Sequence, residues 1–471
     1  MNGALDWMAK AIQRARARVS ETVNNSAAAS ELQGHGLIAW ANMPFLSESE
    51  RLGALLKACR RTSMDRSRHA IQKGLWPYLV GDLRTVGRKQ KVGWERYYGE
   101  FGELGTRSPL TTSVVLKAPK PNGEKGVLYC SFEYNWMRLV AHHDAAAILS
   151  DYYLVGASSW SPTDYAVLAA FSGLSTDPIF IGVSNQVDVE QLALMRPVVE
   201  PLPILASDWI DPDFYKAKPH CKRTIDILMV ANWSRVKRHW PLFEALRDMP
   251  SSLRVVLVGR NAPGRTEAEI RSEARAFGVR QELELHTNLE IDEVAAMQCD
   301  ARISLIFSRR EGSCVSTAES LFAGSPVGML DDAHIGSRAY LNRQTGAVFS
   351  RQGLARSLLR FWEESESFAP RQWALENISC QKTSQRLNSI LRDWAVKTNR
   401  PWTEDIAPLC WRYVPSYLNP ADEHRLAPAV RELKEKHGVE FEKFPGERAA
   451  LLKQRAAAPS RHLNPRRRRA A

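Results

Sequence analysis

The sequence predicts an α/β protein built on doubly wound parallel sheets, and three observations carry the prediction. From about residue 222 to 390, apolar runs of strand length alternate with amphipathic stretches of helix length. Most of the runs are dominated by apolar residues, as strands covered on both faces should be. Glycines and prolines fall where the helices should stop, as at Gly278, Gly324 and Pro326.

Taken in order, TIDILMVAN (224–232) is the first strand of this region. SRVKRHWPLFEALRDM follows, with Leu242, Phe243, Leu246 and Met249 at helical spacing. LRVVLVGR (253–260) is a second strand. EAEIRSEARAFGV is a helix whose apolar face is Ile270, Ala274 and Phe277, closed by Gly278. LELHTNL and ARISLIFS are further strands around the short helix IDEVAAMQC, and SPVGML begins another.

The first half hints at the same class. GLIAWAN (36–42) reads as a strand, and Ser47-x-x-Glu50 has capping-box spacing before RLGALLKACRR. GVLYCSF (126–132), DYYLVGAS (151–158) and DPIFIGVS (177–184) are strand candidates, whereas residues 62–120 carry no assignable pattern. The proline-rich residues 197–220 read as a connection between domains. RLAPAVRELKEKHGV predicts a helix within 400–450. No internal repeat is present.

Composition narrows the function. The 471 residues suffice for two or three domains. Of the formal net charge of +12, seven positive charges fall in residues 451–471, which hold no acid. The basic excess is therefore largely a disordered tail, which argues against nucleic acid as partner. Seven cysteines stand singly, with no C-x-x-C pair, as in a reduced cytoplasmic protein. No apolar run is long enough to span a bilayer. The N-terminal MNGALDWMAKAIQRARARV reads as a short basic amphipathic helix, suited to peripheral contact with an anionic membrane at its inner face.

The chemistry concentrates in RREGSCVSTAESLFAGSPV (309–327), where Glu311 and Glu319 flank small and apolar residues. Glu311 stands just past a strand end, where ligands of such sheets bind. Gly312, Ser313 and Cys314 form a turn, and a helix runs from about Val315 to Ala323. Its N-terminus suits a phosphate. The carboxylates suit sugar hydroxyls, which are good donors.

Glu311-x7-Glu319, set in EGSCVSTAESLFAGSPV, resembles the signature of the retaining glycosyltransferases of the GT-B fold, family four. IDILMVANWSRVKRHWPLFEAL, RVVLVGR and GSRAYLNRQTGAVFS resemble that family's other segments in the same order. The resemblance implies two Rossmann-like domains facing a cleft: an acceptor domain at 36–210 and a nucleotide-sugar donor domain at 216–395. A basic helix (1–35) precedes them, and extra helices (396–450) and the tail (451–471) follow.

It implies that Glu311 binds the donor sugar and Glu319 the ribose. Backbone amides at Gly312, Ser313, Cys314 and Val315 face the diphosphate, and Lys237 neutralises the departing diphosphate. Asn232 stands where relatives carry arginine, with Arg235 preferred over Arg238 as its replacement. Cys314 stands where they carry glycine. No metal and no cofactor are implied. On the acceptor side, Glu133 in SFEYNW is the candidate to orient the acceptor hydroxyl, with Tyr134 or Trp136 to stack on a sugar; His142 and His143 are further candidates. The expected partners are a nucleotide-sugar donor and a glycan, lipid-linked or small-molecule acceptor. The alternative is a GT-B scaffold without turnover that binds glycans or supports assembly.

Overall fold

The computed structural model describes residues 27–59, 61, 65–80, 109–159, 165–186, 188–411 and 415–442. The predicted basic N-terminal segment up to residue 26 and the tail 451–471 lie outside them.

Two open sheets organise the chain. The first orders β1 (Ser113–Lys117), β2 (Gly126–Ser131), β3 (Tyr152–Ala157), β4 (Ile179–Val183) and β5 (Val199–Leu205) as they occur in sequence. β1 runs antiparallel to β2, and the rest pair in parallel. Every residue of β1 to β4 is buried, which explains why they read as continuous apolar runs.

The second sheet holds β6 (Ile225–Val230), β7 (Val255–Gly259), β8 (Leu283–Thr287), β9 (Ala301–Ile306), β10 (Val327–Leu330) and β11 (Gly346–Phe349). Its order is β11-β10-β9-β6-β7-β8, all parallel. The chain starts in the middle at β6, winds out one way, then returns to β9 on the other side. The reversal opens a crevice beyond the carboxyl ends of β6 and β9, the place where doubly wound sheets bind ligands.

Alternation along the strands divides the core. Leu128 and Cys130 of β2 join a cluster that also holds Phe322, Val327 and Met329 of the second half, so one apolar core runs through both. Val127 and Tyr129 face the other way and meet Leu387 and Leu391 of the helix Cys380–Lys397. The sequence assigned this helix to the donor domain; the chain instead crosses back at its end and closes the outer face of the first sheet. The helix Ala421–His437 forms as expected, and the hairpin of β12 (Leu409–Trp411) and β13 (Pro415–Tyr417) precedes it.

GLIAWAN is not a strand. It is the end of the helix Ala27–Ala41, whose Ala41 is buried while Leu37 and Ile38 lean on the core. Gly34 and Gly36 broke the helical pattern that residues 27–33 begin. The capping box does form: Glu50 Oε2 accepts from the Ser47 N–H at 3.0 Å and from its hydroxyl at 2.7 Å, opening the helix Glu48–Cys59.

Candidate active site

The turn after β9 is held from behind by residues 334–337. Their amides take its carbonyls: Gly336 N–H donates to Gly312 O at 2.9 Å and Ser337 N–H to Ser313 O at 3.2 Å. The Ser337 hydroxyl donates to Cys314 O at 3.3 Å. In a trans peptide each N–H points opposite to the carbonyl before it. The amides of Ser313, Cys314 and Val315 therefore face away from this support. Cys314 is left-handed, with φ 52°, and precedes the helix Val315–Phe322. Successive amides turned this way at a helix start form a concave anion site.

Glu311 and Lys237 meet beside it. Lys237 Nζ lies 2.6 Å from Glu311 Oε2. Glu311 Oε1 is buried without a hydrogen-bond partner among the described residues, so one carboxylate lone-pair edge is left for a ligand. Lys237 ends the single turn Arg235–Lys237 that follows β6. Arg238, also left-handed, points elsewhere: it donates to Phe307 O at 2.5 Å and forms a two-pronged pair with Asp332 at 2.8 and 2.9 Å. The Asp332 pair fastens the basic loop to the end of β10, and the Phe307 bond fastens it to the end of β9. Arg235 is exposed, and Asn232, also exposed, accepts from the Ser234 N–H at 3.2 Å.

A cavity of about 250 Å³ opens beyond β6 and β7, lined by Val230, Val258, Leu289, Ile291 and Val294, with Asn232, Lys237 and Arg260 on its polar side. A Cβ at Gly259 would come within 2.5 Å of Ala231 O, so β6 and β7 meet closely here. An apolar slot with a polar edge suits a planar ring. Glu319 closes one end. It accepts from Gln298 Nε2 at 3.1 Å and from the Tyr215 hydroxyl. Burial raises its carboxyl, and the bonds from Gln298 and Tyr215 offset this in part. Tyr215 and Gln298 escaped the sequence reading, Tyr215 because it sits in the proline-rich connector and Gln298 because a glutamine on a short helix carries no signal.

Across the crevice, Glu133 begins the helix Glu133–His142. It is 5% exposed, and its oxygens accept from Ser159 N–H at 3.2 and 3.3 Å and from the Ser159 hydroxyl at 2.5 Å. The Ser159 carbonyl lies against the turn: a Cβ at Gly312 would stand 2.9 Å from it. Ser159 thus lies between Glu133 on one side and the Gly312 turn on the other.

Of the other acceptor candidates, Trp136 is corrected, and Tyr134, His142 and His143 are tied or placed as follows. Trp136 is fully buried, and its Nε1–H donates to Cys130 O at 2.6 Å, so it cannot stack on a sugar. The Tyr134 hydroxyl is bonded to Thr111 Oγ1 at 2.8 Å. His142 lies nine residues beyond Glu133, about 14 Å along the helix. His143 Nδ1 is bonded to the His437 carbonyl at 3.1 Å, which ties it to the C-terminal helix.

Cys314 is no nucleophile at neutral pH. Burial, and then the Glu311 carboxylate, push its thiol up to about 12. Among the described residues no group of three or more His, Cys, Asp or Glu is placed to hold a metal ion. Asp211-Pro212-Asp213 has the spacing of a metal motif but serves a turn, with Asp211 Oδ1 accepting from the Asp213 N–H at 3.0 Å. Among the described residues no helix is long and apolar enough to cross a membrane.

No family model matches the sequence, and no curated protein is detectably similar to it. Several solved structures are similar to it in shape. TarM of S. aureus shares 13% identity over 60% of this chain and 56% of its own, with a TM-score of 0.45. HepE of Anabaena, solved with UDP, shares 15% over 57% of this chain and 78% of its own, at 0.45. Sucrose-phosphate synthase of Thermosynechococcus elongatus shares 12% over 71% and 81%, at 0.44. The chain spans little more than half the length of TarM.

Proposed function

We propose that the chain is a GT-B glycosyltransferase that moves a sugar from a nucleoside-diphosphate donor to a glycan, lipid-linked or small-molecule acceptor, with retention at the anomeric carbon. The observation that carries the reading is the Lys237–Glu311 pair at 2.6 Å, with Glu311 Oε1 left open, on the turn that leads into the helix Val315–Phe322.

In this reading the base enters the slot between β6 and β7, and Glu319 takes ribose hydroxyls. The diphosphate lies over the amides of Ser313, Cys314 and Val315, where Lys237 meets the charge that grows as the glycosidic bond breaks. Glu311 Oε1 accepts from a sugar hydroxyl and sets the ring's orientation. Glu133 orients the acceptor hydroxyl from the 36–210 half, while 216–395 holds the donor. No free side chain is assigned as nucleophile. The acceptor attacks from the face the diphosphate leaves, and its proton passes to the departing phosphate oxygen. No metal is assigned, because Lys237 and the amides supply the positive charge. Contact with anionic lipid rests on the basic composition of the N-terminal segment and the tail.

The second reading, a scaffold without turnover, draws on Asn232 and Cys314, which replace the family's arginine and glycine. Release or transfer of sugar from a panel of nucleotide sugars separates the two. The wild-type chain should turn over one donor, and Glu311→Gln should lower kcat/KM about 10²-fold. Donor binding without any turnover would favour the scaffold.

A further inference from the structure

The hydroxyl of Ser313 does not face the crevice. It is held by the connector between the two halves, and the holding groups form a chain. Ser207 N–H donates to Ser313 Oγ at 2.8 Å, and the two hydroxyls lie 2.5 Å apart. Ser207 Oγ lies 2.6 Å from the Tyr340 hydroxyl, which donates to Asp208 Oδ1. Asp208 Oδ2 accepts from the Leu205 N–H at 2.9 Å. All four side chains are buried.

We propose that Tyr340 and Asp208 are positioning residues for the phosphate-binding turn, acting through Ser207 on Ser313. The inference rests on the nucleotide-sugar reading above.

The carboxylate sets the direction of the whole chain. An ionised carboxylate only accepts, so the Tyr340 proton goes to Asp208. The Tyr340 oxygen then receives the proton of Ser207, and Ser207 Oγ receives that of Ser313. The Ser207 N–H closes the loop on Ser313 Oγ. Each hydroxyl has one proton and one assigned acceptor, which leaves no second arrangement of equal satisfaction. Burial raises the Asp208 carboxyl to about 6, so it is still ionised at neutral pH.

A buried carboxylate is expensive, and an apolar side chain would fill the site at lower cost. What the network supplies is direction. Ser337 holds the Ser313 carbonyl from one side and Ser207 its side chain from another. Two restraints on one residue fix the peptide planes on either side of it, and the amides of Ser313 and Cys314 belong to those planes. Because Ser207 lies in the connector turn Ala206–Trp209, the same contact registers the first half against the diphosphate site.

The test is isothermal titration of the full-length wild type, Tyr340→Phe and Asp208→Asn. The probes are the nucleoside diphosphate, among UDP, GDP and ADP, that binds the wild type most tightly, and its monophosphate. Tyr340→Phe keeps the ring beside Trp373 and deletes only the hydroxyl. Diphosphate affinity should fall about tenfold in both variants, the scale of one lost buried hydrogen bond, with monophosphate affinity within twofold of wild type. Unchanged diphosphate affinity, or an equal fall for both probes, overturns the inference alone. Absence of diphosphate binding by the wild type overturns the nucleotide-sugar reading and this inference with it.

Discussion

At the scale of single residues, Cys314 separates conformation from chemistry. Its φ of 52° is the left-handed region, which costs a side-chain-bearing residue about 1–2 kcal/mol and glycine nothing. Cys314→Gly relieves that strain, while added freedom in the unfolded chain takes back about 0.5–1 kcal/mol. Chemical denaturation should therefore find the variant as stable as wild type or up to ~1.5 kcal/mol more so, with sugar transfer retained. A drop in turnover of two orders of magnitude would give the thiol a chemical role and contradict its high pKa. The placement of Glu311, Lys237 and Glu319 beside one strand end and one helix start was legible in the sequence because it follows from local spacing. The preference for Arg235 over Arg238 drew on the helix start alone; what engages Arg238 is Asp332, 94 residues away, which no local pattern shows. Trp136 misled because an aromatic beside a strand end looks the same whether it faces the core or the cleft; only the packed helix turns it inward.

At the scale of elements, two glycines mark where the halves touch. A Cβ at Gly336 would stand 1.9 Å from the Ser184 carbonyl, and one at Gly312 would meet Ser159 and Ser184. Backbone cannot yield as a flexible side chain does, so Gly336→Ala has to push the supporting segment away from β4 or move both. We expect an unfolding free energy lower by about 1–3 kcal/mol, the usual cost of overpacking. Gly36→Ala, on a helix with open space around its Cβ, is the control and should be neutral or stabilising by up to ~1 kcal/mol. Equal effects from the two would show that the approach at Gly336 is not tight. The elements of the second half were legible because its central strands, such as β7 and β9, are mostly buried and its helices carry clean apolar stripes, as at Leu242, Phe243 and Leu246. GLIAWAN failed because a seven-residue apolar run satisfies a strand and a helix end equally, and two glycines hid the longer period.

At the scale of the molecule, the α/β class was legible, and so was the presence of a second, doubly wound half. How the halves lock together was not. The shared core through Leu128 and Phe322 and the return of the helix Cys380–Lys397 to the first sheet are long-range packing decisions that no local pattern encodes. The same holds for the chain from Asp208 to Ser313, whose members lie up to 133 residues apart. These contacts build the crevice, and the site has meaning only within it. The central claim is that the crevice at the ends of β6 and β9 holds a nucleoside diphosphate by amides and Lys237, without metal. Isothermal titration of the full-length chain with UDP, GDP and ADP in EDTA tests it most directly. At least one of them should bind one-to-one, and Lys237→Ala should weaken that binding at least tenfold. Binding of none, or binding that Lys237→Ala leaves untouched, would contradict it.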